Sequence, residues 1–149
     1  MSIRIATGIA LREDRILLVA SRYANHAEPL WTLPGGRQEP GELACETLVR
    51  EVREETGLDI RIGDLAYASE SYDREVHVSN FTFAMSADGQ PCAPTGRDHI
   101  VDAAWVPIAE IRDRIRVAVV REPLLAYLSG SQRRYFGFHE AGVTIQWFS

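Results

Sequence analysis

Cysteine is scarce in this chain of 149 residues. Cys45 and Cys92 are the only two, and neither stands in a C-x-x-C pair. A disulfide framework and a Cys-based metal cluster are therefore excluded. Two reduced thiols are the reading, with Cys45 on the inner side of a helix and Cys92 in a loop. Long apolar runs are also missing. No stretch reaches the roughly 18 apolar residues of a membrane span, and the first residues hold no apolar signal core. A cytoplasmic location with no membrane partner is the expectation. Positive charge is thin: the formal charge is −5, and no basic run exceeds the pair Arg133-Arg134. Non-specific binding to nucleic acid or an anionic bilayer needs a basic surface and is disfavoured. An anionic small molecule stays open if cations or a local Arg cluster supply charge. Repeats, linkers and low-complexity segments are absent. What remains is an ordinary globular composition, 46% hydrophobic and 25% charged, long enough for one domain over 1–149 with a real core.

Hydrophobic spacing organises that domain. Ile3–Leu11 and Arg15–Ser21 read as two apolar strands joined by the turn Arg12-Glu13-Asp14, a hairpin. Tyr23–Leu30 is loop, and Trp31–Leu33 a short extended piece. Pro34-Gly35-Gly36 and Gln38-Glu39-Pro40-Gly41 break the chain. Ala44, Leu48 and Val52 recur every four residues and predict a helix over Leu43–Thr56, stopped at Gly57. Strands are predicted at 59–71, at Glu75–Met85 with Val76, Val78, Phe81 and Phe83 inward, and at Ile100–Val106. Residues 87–98 read as loop. A second helix is predicted from Pro107 towards Ser129, divided or kinked at Pro123. A last strand is expected in the aromatic tail 135–148. Helices packed on one mixed sheet make this an α/β chain.

One stretch carries most of the chemistry. On a helical wheel Glu51, Glu54 and Glu55 fall within an arc of about 100°. Their i,i+3 and i,i+4 spacing makes them repel by a few tenths of a kcal/mol per pair. Clustered oxygen ligands of that kind suit a hard cation, Mg²⁺ first, with Mn²⁺ or Ca²⁺ as substitutes. The alternative is a solvated acidic face neutralised by Arg50 and Arg53. The spacing decides between them. Gly36, five residues, Glu42, seven residues, then Arg50-Glu51-Val52-Arg53-Glu54-Glu55-Thr56-Gly57-Leu58 fill every fixed position of the Nudix box, and the chain resembles the Nudix hydrolase family. The preceding WTLPGG and the later Trp105-Val106-Pro107 extend the likeness.

That resemblance implies an α/β/α sandwich with a mixed sheet and the box as loop–helix–loop. It implies divalent-metal-dependent hydrolysis of a nucleoside diphosphate linked to another moiety, such as a nucleoside triphosphate, nucleotide sugar, ADP-ribose or dinucleoside polyphosphate. By the same resemblance the Gly35 carbonyl, Glu51, Glu54 and Glu55 are metal ligands. Gly35 and Gly36 lack the Cβ that would block close approach. Arg50 joins the catalytic set as an orienting partner of a box carboxylate, and Glu42 ties loop to helix. For the general base, Glu54 is one candidate and Asp98, in the loop beside Arg97 and His99, another; Asp102 is a third.

Substrate contacts outside the box would be Arg or aromatic. Arg22, Tyr23, Tyr72 and Arg74 are the candidates, with Arg4 and Phe83 behind them and Trp31 expected beneath the Gly-Gly turn. The Pro and Tyr that mark ADP-ribose and diadenosine polyphosphate hydrolases are not at their usual places, so no substrate is named. Two other readings of the resemblance are weaker. A non-catalytic nucleotide sensor would tend to lose box carboxylates, and a diphosphate isomerase would want a supported active-site Cys, which Cys92 is not. A homodimer is a family-level expectation.

Overall fold

Two strands that are apolar on both faces dictate where everything else must go: β1 (Ser2–Arg12) and β2 (Arg15–Ser21). Successive side chains of a strand leave on opposite faces. Ile9, Ile16 and Leu18 therefore enter one core, and Ala6, Ala10 and Leu17 enter another. A sheet apolar on both sides has to be covered on both sides. In the computed structural model, which describes residues 1–94 and 99–139, helices do this. On the Ala6–Leu17 side α1 (Ala44–Thr56) lays down Leu48 and Val52. On the other side α2 (Ile111–Arg114) and α3 (Ala118–Leu128) contribute Ile111 and Leu124. The expected α/β architecture, a mixed sheet between helices, is the one adopted.

The remaining strands are β3 (Leu30–Thr32), β4 (Gly35–Arg37), β5 (Ile60–Asp73), β6 (Val76–Ala87), β7 (Ile100–Pro107) and β8 (Tyr135–Phe138). The expected β1–β2 hairpin is paired only at its closed end, Leu11 with Ile16 and Arg12 with Arg15. Beyond that the two strands part. β1 goes on beside β6, parallel, and β4, antiparallel; β2 goes on between β7 and β3, antiparallel to both. The chain fills the gap itself: β3 pairs with β2, and two residues later β4 pairs with β1. At the crossing the Gly8 N–H donates to the Pro34 carbonyl at 3.0 Å. The segment expected as a loop ahead of the helix is thus a strand. The open edge of β1 recruits Gly35–Arg37 although glycine is a poor strand former.

Two further expectations are corrected, and a third is met as far as it can be followed. The second helix breaks at 115–117, ahead of Pro123, which lies inside α3. Ile115 and Val117 are both fully buried, and two inward residues at i and i+2 require an extended segment rather than a helix. On β6, Phe81 is 47% exposed while Thr82 is buried, because Thr82 faces the side that β1 lines with Ile9. The tail strand is described only over Tyr135–Phe138, parallel to β5; the rest of that expectation lies outside the described residues. Among those residues, no helix is long and apolar enough to cross a membrane.

Leu48 joins α1 to the sheet and is fully buried. Leu48→Ala is expected to cost about 2–5 kcal/mol, read as a lower urea midpoint at unchanged slope.

Candidate functional site

The acidic helix is held firmly at both ends. Its first residue follows Leu43, which has no side-chain acceptor to cap it. Glu46 reaches back instead, and its Oε1 accepts from the Leu43 N–H at 2.8 Å. The Thr47 hydroxyl donates to Glu42 Oε1 at 2.9 Å, tying the preceding loop to the first turn. At the other end Gly57 takes a left-handed φ of 76° and donates its N–H to the Arg53 carbonyl. The Thr56 hydroxyl closes that turn, donating to the Val52 carbonyl at 2.7 Å and accepting from the Leu58 N–H at 3.1 Å. With Leu48 and Val52 in the core, Glu51, Glu54 and Glu55 are carried towards β4.

Arg50 lies at the centre of this acidic group. Its Nε and Nη2 donate to the two carboxylate oxygens of Glu42 at 2.7 and 2.9 Å, a bidentate pair. Its Nη1 donates to Glu51 Oε1 at 2.9 Å and Glu54 Oε2 at 3.3 Å, and Nη2 also to the Arg37 carbonyl at 3.1 Å. These bonds raise the Arg50 pKa, those from Glu42 most. In return the Arg50 guanidinium, helped by the Glu39 N–H, pulls the Glu42 carboxyl down to about 2.

The glycine pair brings the sheet up to the helix. Gly35 has a φ of +148°, and a Cβ there would sit 2.0 Å from the Ala6 carbonyl oxygen; no other residue fits. Its N–H donates at 2.8 Å to Oε1 of Glu55, a carboxylate only 6% exposed. A Cβ on Gly36 would lie 2.5 Å from the Glu51 carboxyl carbon, so the missing side chain is the space that carboxylate occupies. Tyr23 belongs to the same neighbourhood: burial raises its pKa, and the Glu55 charge adds to this against a Ser21 hydrogen bond. Oxygen donors alone, three of them anionic, suit a hard divalent cation. As they stand, Glu51 and Glu54 are turned to Arg50 and Glu55 to the Gly35 amide. Among the described residues no three acidic, His or Cys side chains already surround one point. A cation would have to draw Glu51 and Glu54, 18% and 29% exposed, off the guanidinium.

A NUDIX domain family model matches residues 2–128. The chain belongs to the NUDIX family. Among its relatives is a putative mutator protein, MutT4, of Mycobacterium tuberculosis, 31% identical over 111 residues, covering 72% of this chain and 44% of that one. An ADP-ribose pyrophosphatase of Methanocaldococcus jannaschii is 37% identical over 84 residues, 55% of this chain and 49% of that one. The chain spans about half the length of these relatives. A solved NUDIX hydrolase from Nitrosomonas europaea superposes with a TM-score of 0.74 at 26% identity, covering 90% of this chain and 93% of that one.

Around the NUDIX box the other sequence candidates are scattered. Tyr23 stands beside Glu55, and the Arg22 N–H donates to the His99 carbonyl at 2.6 Å while its side chain is exposed. Tyr72 and Arg74 sit at the β5–β6 turn, with Tyr72 stacked on His77 at 4.6 Å. Pairing puts Tyr67, Thr82, Thr7 and Gly35 in one row across the sheet. Tyr72 is five residues further along β5, about 17 Å away, so the structure does not bring that pair to the box. Asp98 lies outside the described residues. Asp102 is on β7 opposite Ala20, its Oδ1 accepting from the Ala103 N–H at 2.8 Å. Trp31 packs against the α2–α3 core with the Arg114 guanidinium 5.0 Å from its ring.

Sequence reading missed one group. On the face away from α1, Thr7 Oγ1 lies 3.0 Å from Asn80 Oδ1 and 2.9 Å from Thr82 Oγ1, and the Asn80 amide donates to Thr82 at 3.1 Å and Ser69 at 3.4 Å. This polar row adjoins Gly35 through the Thr7–Gly35 pair. The available signal was Ser69, Ser71, Asn80 and Thr82 at inward positions of strands whose other inward residues are apolar.

Two outcomes follow from this geometry. Gly36→Ala should displace the Glu51 carboxylate, a flexible side chain, and so lower Mn²⁺ affinity about 10- to 100-fold with little change in thermal midpoint; calorimetric titration reads the first and a melt the second. Glu42 has a folded pKa of about 2 against 4.5 ordinarily, so its pairing stabilises above about 4.5 and is lost as pH falls towards 2. Over that window the melting temperature of the wild type should fall more steeply than that of Glu42→Gln. Parallel curves would remove Glu42 from the acid response.

Proposed function

We propose that the chain hydrolyses a phosphoanhydride bond in a nucleoside diphosphate linked to another moiety, with Mg²⁺, or Mn²⁺ in its place, as the required cation. The observation that carries this reading is the buried Glu55 carboxylate tied to the Gly35 amide, in the same cradle where the absent Gly36 side chain admits Glu51. The Gly35 carbonyl, Glu51, Glu54 and Glu55 would hold the ion. When bound, it offsets phosphate charge and lowers the pKa of a water molecule.

The chain's own residues do the rest. Glu55, fixed by the Gly35 N–H, sets the spacing between β4 and α1. Arg50 holds Glu51 and Glu54 in place and is itself held by Glu42. Glu54 has the weakest of Arg50's contacts to these three carboxylates and is partly exposed, so it is the described candidate to take the proton of the attacking water. Asp98 is the alternative from the later loop. Thr7 and Asn80, the half-buried members of the polar row beside Gly35, would turn a hydroxyl and an amide to the edge of a nucleobase, with Tyr23 and Arg22 near the phosphate end. The names carried by two relatives, a mutator protein and an ADP-ribose pyrophosphatase, fit a nucleotide derivative without choosing one.

A panel of nucleoside triphosphates, nucleotide sugars, ADP-ribose and dinucleoside polyphosphates, assayed with and without Mg²⁺, tests the reading. Glu55→Gln keeps an acceptor for the Gly35 N–H, so the fold should survive while turnover is nearly abolished. Glu54→Gln and Asp98→Asn separate the two bases: the true base should lose about 10²- to 10⁴-fold in kcat and the acid limb of its pH profile. Absence of any metal-dependent turnover, or full activity in Glu55→Gln, would sink the enzyme reading.

A further inference from the structure

At the closed end of the β1–β2 pair, Arg12 and Arg15 are direct cross-strand partners. Side chains directly opposite one another leave on the same face, and like charges so placed repel. The turn between the two holds Glu13 and Asp14, yet among the described residues the side-chain contacts of both arginines are to neutral groups. Arg12 Nη2 donates to the Ala87 carbonyl at 3.4 Å, and its guanidinium lies 4.2 Å from the Trp105 ring centre. Arg15 Nη1 donates to the Trp105 carbonyl at 3.1 Å. Two adjacent guanidiniums with no carboxylate in ion-pair contact among the described residues concentrate positive charge at this end of the sheet.

They also share a cavity. It has a volume of about 370 Å³, and the described residues that line it are Arg12, Arg15, Gln90, Pro91, Ala103, Ala104 and Trp105, none of them acidic. The far wall is positioned by hydrogen bonds: the Trp105 indole N–H donates to the Gly89 carbonyl at 3.0 Å, and the Cys92 N–H to the Thr56 carbonyl at 2.9 Å. Gln90, between those anchors, brings an amide to the rim. The cavity is separate from the carboxylate cradle at Gly35, because Arg12 is five residues along β1 from Thr7, the partner of Gly35, or about 17 Å.

We propose that this cavity is a second, anion-binding site that takes a phosphate-class dianion. Two guanidiniums are balanced by a charge of −2, whereas a single carboxylate leaves one unmatched. A tetrahedral group also accepts from several directions at once, which suits two guanidiniums and an amide arriving from different strands and a loop. The ligand is therefore orthophosphate, pyrophosphate or a phosphate monoester. The site needs no cation, which distinguishes it from the carboxylate platform.

The full ¹⁵N-labelled chain can be titrated in EDTA at about pH 8, where phosphate is largely dianionic, with sodium phosphate, pyrophosphate or AMP at constant ionic strength. The Trp105 indole and Arg side-chain N–H signals should shift and saturate. Saturation by phosphate and pyrophosphate alone assigns the site to free anions, and equal or tighter binding of AMP assigns it to monoesters. Arg15→Gln, at an exposed position, should leave the rest of the spectrum in place and weaken binding at least ten-fold, with Arg15→Lys in between. Shifts that never saturate, that chloride reproduces, or that persist unchanged in Arg15→Gln and in the Arg12→Gln/Arg15→Gln double variant would overturn the proposal.

Discussion

Everything around the NUDIX box depends on the Arg50 guanidinium. Glu42, Glu51, Glu54 and Glu55 crowd one side of a helix and its lead-in loop, where like charges at helical spacing repel. Arg50 gives three of them a common partner and fixes the end of β4 as well through the Arg37 carbonyl. The contacts are unequal, and the inequality matters. Glu42 takes two short bonds and stays well below the usual carboxylate range, so it holds the arginine. Glu51 and Glu54 share a single nitrogen, so either can leave it for a stronger positive charge while Glu42 keeps Arg50 in place.

The second constraint is the parting of β1 and β2. Had the hairpin continued, the edge of β1 at Ile5–Thr7 would have been used up. Because the strands diverge, β3 and β4 bridge them, and Gly35 arrives with its N–H directed at Glu55. With the Arg50 bond to the Arg37 carbonyl, this hydrogen bond joins the sheet edge at β4 to α1. The bond also accounts for Glu55 being the most buried of the box carboxylates: a charged group taken out of water needs a donor, and the backbone of the preceding strand supplies one.

How much of this could be read from residues alone follows from the range of each interaction. The box was legible because a metal and phosphate site restricts residue types at fixed short spacings, and α1 because Ala44, Leu48 and Val52 keep one period. β4 was not legible, since Gly-Gly has no strand preference and its pairing is imposed by a free edge nearly 30 residues earlier in the chain. The break at 115–117 was missed because Pro123 is the louder local signal, although Ile115 and Val117 were already alternating. Phe81 read as inward by hydrophobicity, while the face it points to at that height is uncovered. Hardest was the Thr7–Asn80–Thr82–Ser69 row: its members come from three strands, and only the parallel pairing of β1 with β6 makes Thr7 and Thr82 neighbours.

The height of the helix above the sheet is the last link. On the α1 side β1 presents Ala6, Gly8 and Ala10, all small. A Cβ on Gly8 would fall 2.3 Å from the Met85 sulfur and 3.1 Å from Leu48 Cδ2, so the closest part of the interface is already filled. Core packing at this density does not adjust continuously. A larger residue there would lift Leu48, and with it Glu51 from the space above Gly36 and Glu55 from the Gly35 amide. The positions of the carboxylates are thus set by a methionine and a leucine in the core. Precision at the box is bought in the core beneath it.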